Sequence, residues 1–262
     1  MATIARDTYE PASETRFAPK MAIAMALTVV AGFSMQLFMG RSSFGSPLRV
    51  HVHALVFMGW VAIFVTQSWL ATRGPIALHR KLGWLAVGWM ALMVAAAMTV
   101  IVAMARNGTV PFFFTPQQFL IGDPATLVCF VGLTLAAIAK RRETDWHARL
   151  HICAMAAIMG PAFGRLLPMP FMIPYSFEIA VAAGLVFPLA GAIRDKRVLG
   201  RVHPAWGRGA LAIVATLLLT NLIAYSPVGA SIYNVTTAGS PGAAVSGLEF
   251  PAPPTGPLIT GR

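Results

Sequence analysis

Residues 51–104 read HVHALVFMGWVAIFVTQSWLATRGPIALHRKLGWLAVGWMALMVAAAMTVIVAM. About 20 mostly apolar residues suffice to cross the hydrocarbon core of a bilayer as a helix. Two such runs, 51–71 and 77–104, flank Arg73, Gly74 and Pro75, with Arg80 and Lys81 just inside the second. Gly-Pro closes one helix and opens the next, so the stretch reads as a transmembrane hairpin with a basic turn in water. Outward from it, five more runs fall at 20–40, 119–139, 149–167, 174–193 and 209–226. The run at 149–167 is the least apolar and holds Gly160, Pro161 and Arg165, so it reads as a kinked span. The expected fold is all-α: a polytopic transmembrane helical bundle of seven spans.

Composition agrees. The 262 residues are 57% hydrophobic and 11% charged, with a mean hydropathy of +0.70, which excludes an ordinary soluble enzyme. Of the 20 Lys and Arg, 15 fall before the first span or in the second, fourth and sixth connections, and five on the opposite segments. Basic residues favour the cytoplasmic face, so the alternation predicts a cytoplasmic N-terminus, an outer C-terminus and a bacterial inner-membrane location. The net charge of +11 then matches anionic lipid, and nucleic acid is not an expected partner.

The expected organisation is a polar cytoplasmic tail (1–19), the bundle (20–226) and a Gly, Pro, Ser and Ala-rich outer tail (227–262) read as disordered. Residues 1–19 lack the pattern of a cleaved signal peptide. Trp69, Trp84, Trp146 and Trp206 read as an interfacial belt, Asp123 before Pro124 as a helix cap, and Cys129 and Cys153 as unpaired fillers.

Six histidines supply most of the candidate chemistry. His79, His147 and His151 fall near the cytoplasmic ends of the third and fifth spans, where imidazoles from two helices could ligate haem iron. His79 and His151 each lie about one turn inside their spans and so at similar depth. His51 and His53 could chelate a metal only from extended chain, because residues two apart on a helix point away from each other. His53, Trp60 and Gln67 recur every seven residues and form one polar stripe on the second span. Arg165 calls for a partner in the bilayer, and Asp123 and Glu178 lie at the same end. No GxSxG, Walker, Rossmann or EF-hand arrangement occurs.

The segments HALVFMGWVAIFVTQSWLATRGPIALHRKLG (53–83) and DWHARLHICAMAAIMGPAFGRLLP (145–168) resemble a family of bacterial membrane proteins without assigned function. The resemblance rests on His53, Gln67, Arg73, His79, Arg80, Gly83, His147, Arg149 and Arg165. The architecture is also similar to cytochrome b561 and ferric-reductase bundles, whose resemblance implies haem b; no helix here carries two histidines at the 13–14 residue spacing of those proteins, so at most one haem has ligands. Three functions compete. A structural, assembly or regulatory membrane subunit, with a membrane-protein partner or a second copy, needs only packing. A haem- or metal-binding redox protein uses His79 with His147 or His151. An enzyme or transporter uses an outer polar site of His53, Asp123, Arg165 and Glu178.

Overall fold

The computed structural model describes residues 11–42 and 44–256, without the side chains of 11–16. Its helices are α1 (Pro11–Phe38), α2 (Leu48–Arg73), α3 (Ile76–Asn107), α4 (Pro116–Ala139), α5 (Thr144–Ala157), α6 (Gly160–Leu166), α7 (Ser176–Ala183), α8 (Val186–Leu199), α9 (Pro204–Ala224) and α10 (Pro227–Thr237), with 3-10 turns at Met169–Met172 and Pro241–Ala244. Among the described residues, six segments are long and apolar enough to cross a membrane: Phe17–Phe38, α2, α3, α4, Ser176–Leu199 and α9. Leu55, Trp84 and Leu222 are 72%, 77% and 71% exposed. Side chains of this kind, spread around the bundle, form a surface that lipid rather than water covers.

The segment expected as a kinked span is two helices, α5 of 14 residues and α6 of seven. Pro161 has no N–H to continue the α5 ladder. α5 is also the most enclosed helix, packed on α1, α4, α8 and α9, with Cys153, Ala154, Ala156 and Ala157 at 2% exposure or less. A helix walled by protein needs no lipid-compatible exterior, which accounts for its weak hydropathy. Small neighbours permit this closeness: a Cβ on Gly209 of α9 would collide with Cys153, and one on Gly184 with the Ala156 carbonyl.

α1 to α5 close into a ring, each packed on the next and α1 also touching α5 and α6. α3 and α5 are not packed side by side; both lean on α4. Met25, Met93, Trp60 and Phe130 fill much of the interior. One end of the bundle carries the turns at 74–75, 140–143 and 200–203 and is called here the basic end; the other is the tail end.

Four expectations are corrected. The tail is ordered through residue 256: α10 and the turn at Pro241–Ala244 pack on α3, α4 and α9, while 257–262 lie outside the described residues. Buried Tyr233 donates its hydroxyl to the carbonyls of Gly242 (3.1 Å) and Val245 (3.2 Å), and the Gly247 carbonyl accepts the Gln117 N–H at 2.8 Å. A segment too poor in apolar residues to build a core is ordered here by borrowing one. Asp123 lies inside α4, whose cap is Thr115 ahead of Pro116. Trp206 is 2% exposed, a core residue and not an interfacial one. Both cysteines are free. The expected 1–19 tail is cut by α1, which begins at Pro11, and residues 1–10 lie outside the description.

Candidate functional site

The basic end brings His79, His147 and His151 together. His79 and His147 each occupy the fourth position of their helix, one turn inside a loop, and His151 follows His147 by one turn. The ring centroids of His147 and His151 are 4.6 Å apart, and those of His79 and His147 are 6.2 Å apart with planes at 79°. His79 Nδ1 lies 3.3 Å from the Gln67 carbonyl on α2, and His147 Nδ1 lies 2.8 Å from the Ala137 carbonyl on α4. A carbonyl can only accept, so each Nδ1 carries the proton and each Nε2 keeps its lone pair. This is the arrangement that orients a ligating imidazole, and here four helices impose it. Gln67 Oε1 and Ser68 Oγ are buried without partners on α2.

Two imidazoles that bind one ion through Nε2 from opposite sides, each about 2.0–2.1 Å from it, have centroids roughly 6 Å apart. The His79–His147 separation meets this value. A plain edge-to-face contact of two rings covers the same range, so the orientation of the nitrogens is the more discriminating feature. Among the described residues, no group of three or more His, Cys, Asp or Glu side chains is arranged to hold a metal ion. The cluster therefore offers two oriented imidazoles and no closed cage of protein ligands among the described residues.

His51 and His53 do not combine. α2 is already helical at both; His51 Nε2 meets the Phe44 carbonyl at 3.1 Å, while the His53 ring stacks on Phe57 at 4.2 Å. The metal pairing read from extended chain is thus removed by the helix. The stripe of His53, Trp60 and Gln67 faces the interior as its spacing requires, but as polar glue it supplies only the His53 bond to the Ala96 backbone of α3. His53 Nδ1, Trp60 Nε1 and Gln67 Oε1 are all buried without hydrogen-bond partners. Trp60 meets Phe130 edge-on at 5.0 Å, and Trp89 Nε1 donates from α3 to the Val56 carbonyl of α2 at 2.8 Å, alongside the His79–Gln67 contact.

At the tail end the expected polar set divides in two. Arg165 donates to the Pro161 carbonyl at 2.7 Å and lies over Phe33 at 4.2 Å, with Asp123 and His53 as electrostatic neighbours. Glu178 is not its partner. Glu178 Oε1 accepts from Gln118 Nε2 at 2.7 Å and from Asn221 Nδ2 at 2.8 Å, and Gln118 Nε2 is also 2.8 Å from Asn221 Oδ1. Beside this triad, burial pushes the Tyr225 phenol above its usual range, the Thr115 hydroxyl opposes that shift, and the Glu178 carboxylate adds to it.

Sequence reading passed over Gln118 and Asn221, although polar residues inside apolar runs are themselves a signal. It also passed over a buried ion pair. Arg149, counted as a loop charge, makes a two-pronged contact with Asp195, Nε to Oδ2 at 2.9 Å and Nη2 to Oδ1 at 3.1 Å. Trp206 Nε1 donates to Oδ2 at 2.8 Å, and Arg194 Nη1 reaches Oδ1 at 3.3 Å. Asp195 was hidden in the basic run RDKR. His203 is the cap of α9, its Nδ1 accepting the Ala205 N–H at 3.2 Å.

No protein-family model, curated protein or solved structure matches this chain.

Proposed function

We propose that this protein is a haem-b-binding membrane redox protein in which His79 and His147 would hold the iron. The observation that carries the reading is the pair itself: two imidazoles on helices that do not pack side by side, each with Nδ1 tied to a backbone carbonyl, at a separation that one shared ion requires. Bound haem would supply one-electron chemistry. The chain's own contribution is to hold both half-buried rings in one tautomer. Gln67 and Ser68 add polar atoms in need of partners on the neighbouring wall. His151, edge-on to His147, is the alternative ligand that equal depth alone would select.

The test is the absorbance of purified protein expressed with a haem precursor. A Soret band that shifts on reduction is expected, lost in His79→Ala and in His147→Ala and retained in His203→Ala. If His151→Ala abolishes the band and His147→Ala does not, the ligand assignment moves by one turn. Wild-type protein without haem or stoichiometric metal would retire the redox reading, leaving a structural, assembly or regulatory subunit as the function.

We also infer that α5 and α6 together make a seventh, broken crossing, with the N-terminus cytoplasmic in a bacterial inner membrane. Thr144 to Leu166 would reach roughly 34 Å at the helical rise, against a hydrocarbon core of about 30 Å. The alternation of basic residues favours this parity. Phosphatase activity of a C-terminal fusion, with cytoplasmic fluorescence from a fusion after Arg197, agrees with it; the reverse pattern refutes it.

A further inference from the structure

α2 and α3 pack on each other, but in the half of the bundle toward the tail end a groove of about 390 Å³ opens between them. Leu48 and Val52 of α2 form one wall; Leu92, Ala95 and Thr99, on one face of α3, form the other. Leu48, Val52 and Leu92 are exposed, so the groove faces outward, where lipid covers the bundle. The Thr99 hydroxyl donates to the Ala96 carbonyl at 2.7 Å and leaves no free donor on this apolar surface. From Leu92 to Thr99 the wall is about 10 Å long at the helical rise, which fits within one half of a hydrocarbon core about 30 Å thick.

One end of the groove is positive. Arg49 lines it as the second residue of α2, and among the described residues it makes no hydrogen bond or ion pair. No acid lines the groove. The start of a helix is itself positive, and here the cap residue Pro47 has no side-chain acceptor and the first turn has no acid. A phosphate at this point answers both charges, since a guanidinium grips it with two N–H groups and the open N–H groups of the first turn point toward it. A second copy seated in the same groove about a two-fold axis would instead bring two Arg49 side chains into one interface without a counter-ion.

We infer that the α2–α3 groove holds one acyl chain of an anionic phospholipid, with the lipid phosphate against Arg49 and the start of α2. The site lies toward the end of the bundle opposite the imidazole cluster and is independent of it.

The experiment places the full chain in phosphatidylcholine vesicles with a trace of phosphatidylglycerol or of phosphatidylcholine bearing a photoreactive diazirine on one acyl chain. After illumination, the labelled residues are mapped by mass spectrometry. Labelling of 48–52 and 92–99 is measured relative to Leu218 and Leu222 of α9, which are exposed to bulk lipid. This ratio is expected to be about fivefold higher with phosphatidylglycerol than with phosphatidylcholine, and to fall when unlabelled phosphatidylglycerol is added. Arg49→Gln should abolish the preference, and Ala95→Phe, which fills the groove, should lower labelling there with both lipids. Circular dichroism establishes that each variant is folded. If Ala95→Phe does not fold, the wild-type ratio and Arg49→Gln, at an exposed position, still decide. Equal ratios for the two lipids in wild type overturn the proposal, as do a preference retained in Arg49→Gln and efficient disulfide cross-linking between copies of Ala95→Cys.

Discussion

Replacing Asp195 by Asn tests how the basic end is held together. Asp195 is wholly buried and accepts from Arg149, Arg194 and Trp206. Asn keeps the shape and one acceptor oxygen, but turns the other into an NH2 group facing N–H donors. Arg149, only 4% exposed, then loses its close counter-ion and keeps the looser Nη1 contact with Asp145 Oδ1 at 3.8 Å; breaking a buried pair costs about 3–5 kcal/mol. The Trp206 indole competes for the single remaining oxygen, which places the loss toward the upper part of that range. Removing the charges together has a different outcome. In a Trp206→Phe background, which eliminates the orphaned indole donor, Arg149→Met with Asp195→Leu should lie within about 1–2 kcal/mol of the background, because replacing both partners of a buried pair by apolar groups is often neutral. The assay is equilibrium unfolding in mixed micelles followed by circular dichroism. An Asp195→Asn loss below about 1 kcal/mol, or an apolar pair no more stable than Asp195→Asn, would refute the claim that this ion pair is a dry, mutually dependent unit.

Tyr233→Phe removes the donor that holds the Gly242 and Val245 carbonyls, with a cost of about 1–2 kcal/mol confined to the tail; hydrogen exchange should rise in residues 238–247 and stay unchanged in α5. The same bond predicts alkaline release of the tail. Burial raises the Tyr233 phenol above its ordinary value, so its stabilisation is complete below about pH 10 and is lost as pH rises through the higher folded value. Exchange protection of 238–247 measured against pH should therefore fall only in strongly alkaline solution, and a loss near neutrality would contradict the assignment. Gly184→Ala forces a Cβ into the Ala156 carbonyl; backbone cannot swing aside as a side chain can, so a loss of about 1–3 kcal/mol in the same unfolding assay is expected.

The hairpin at 51–104 shows what the chain reveals unaided. Apolar run length, a Gly-Pro break and alternating basic residues are local quantities, and they locate α2, α3 and the other long apolar helices because lipid imposes its demands segment by segment. The period of seven on α2 likewise identifies His53, Trp60 and Gln67 as one inward face. The sequence also marks His79, His147 and His151 as candidates, since imidazoles near the same end of the third and fifth spans are visible in the spacing. It cannot pair them. That His147 and not His151 lies 6.2 Å from His79 depends on how α3 and α5 rotate about their axes, and this is set by packing on α4.

Partner choice is likewise non-local at the polar sites. Arg165 bonds a carbonyl four residues away and the face of Phe33, with Asp123 only an electrostatic neighbour and Glu178 not a partner, and Glu178 finds Gln118 and Asn221 across 60 and 43 residues of chain. Arg149 reads as a loop cation until α8 and α9 bring Asp195 and Trp206 against it. The tail from 227 carries no signal of order, because its hydrogen bonds and apolar contacts are supplied by α3, α4 and α9. Local propensity and hydropathy thus specify which segments enter the membrane. Which buried polar groups meet there is decided only when the helices pack, since each such group must find its partner on another helix.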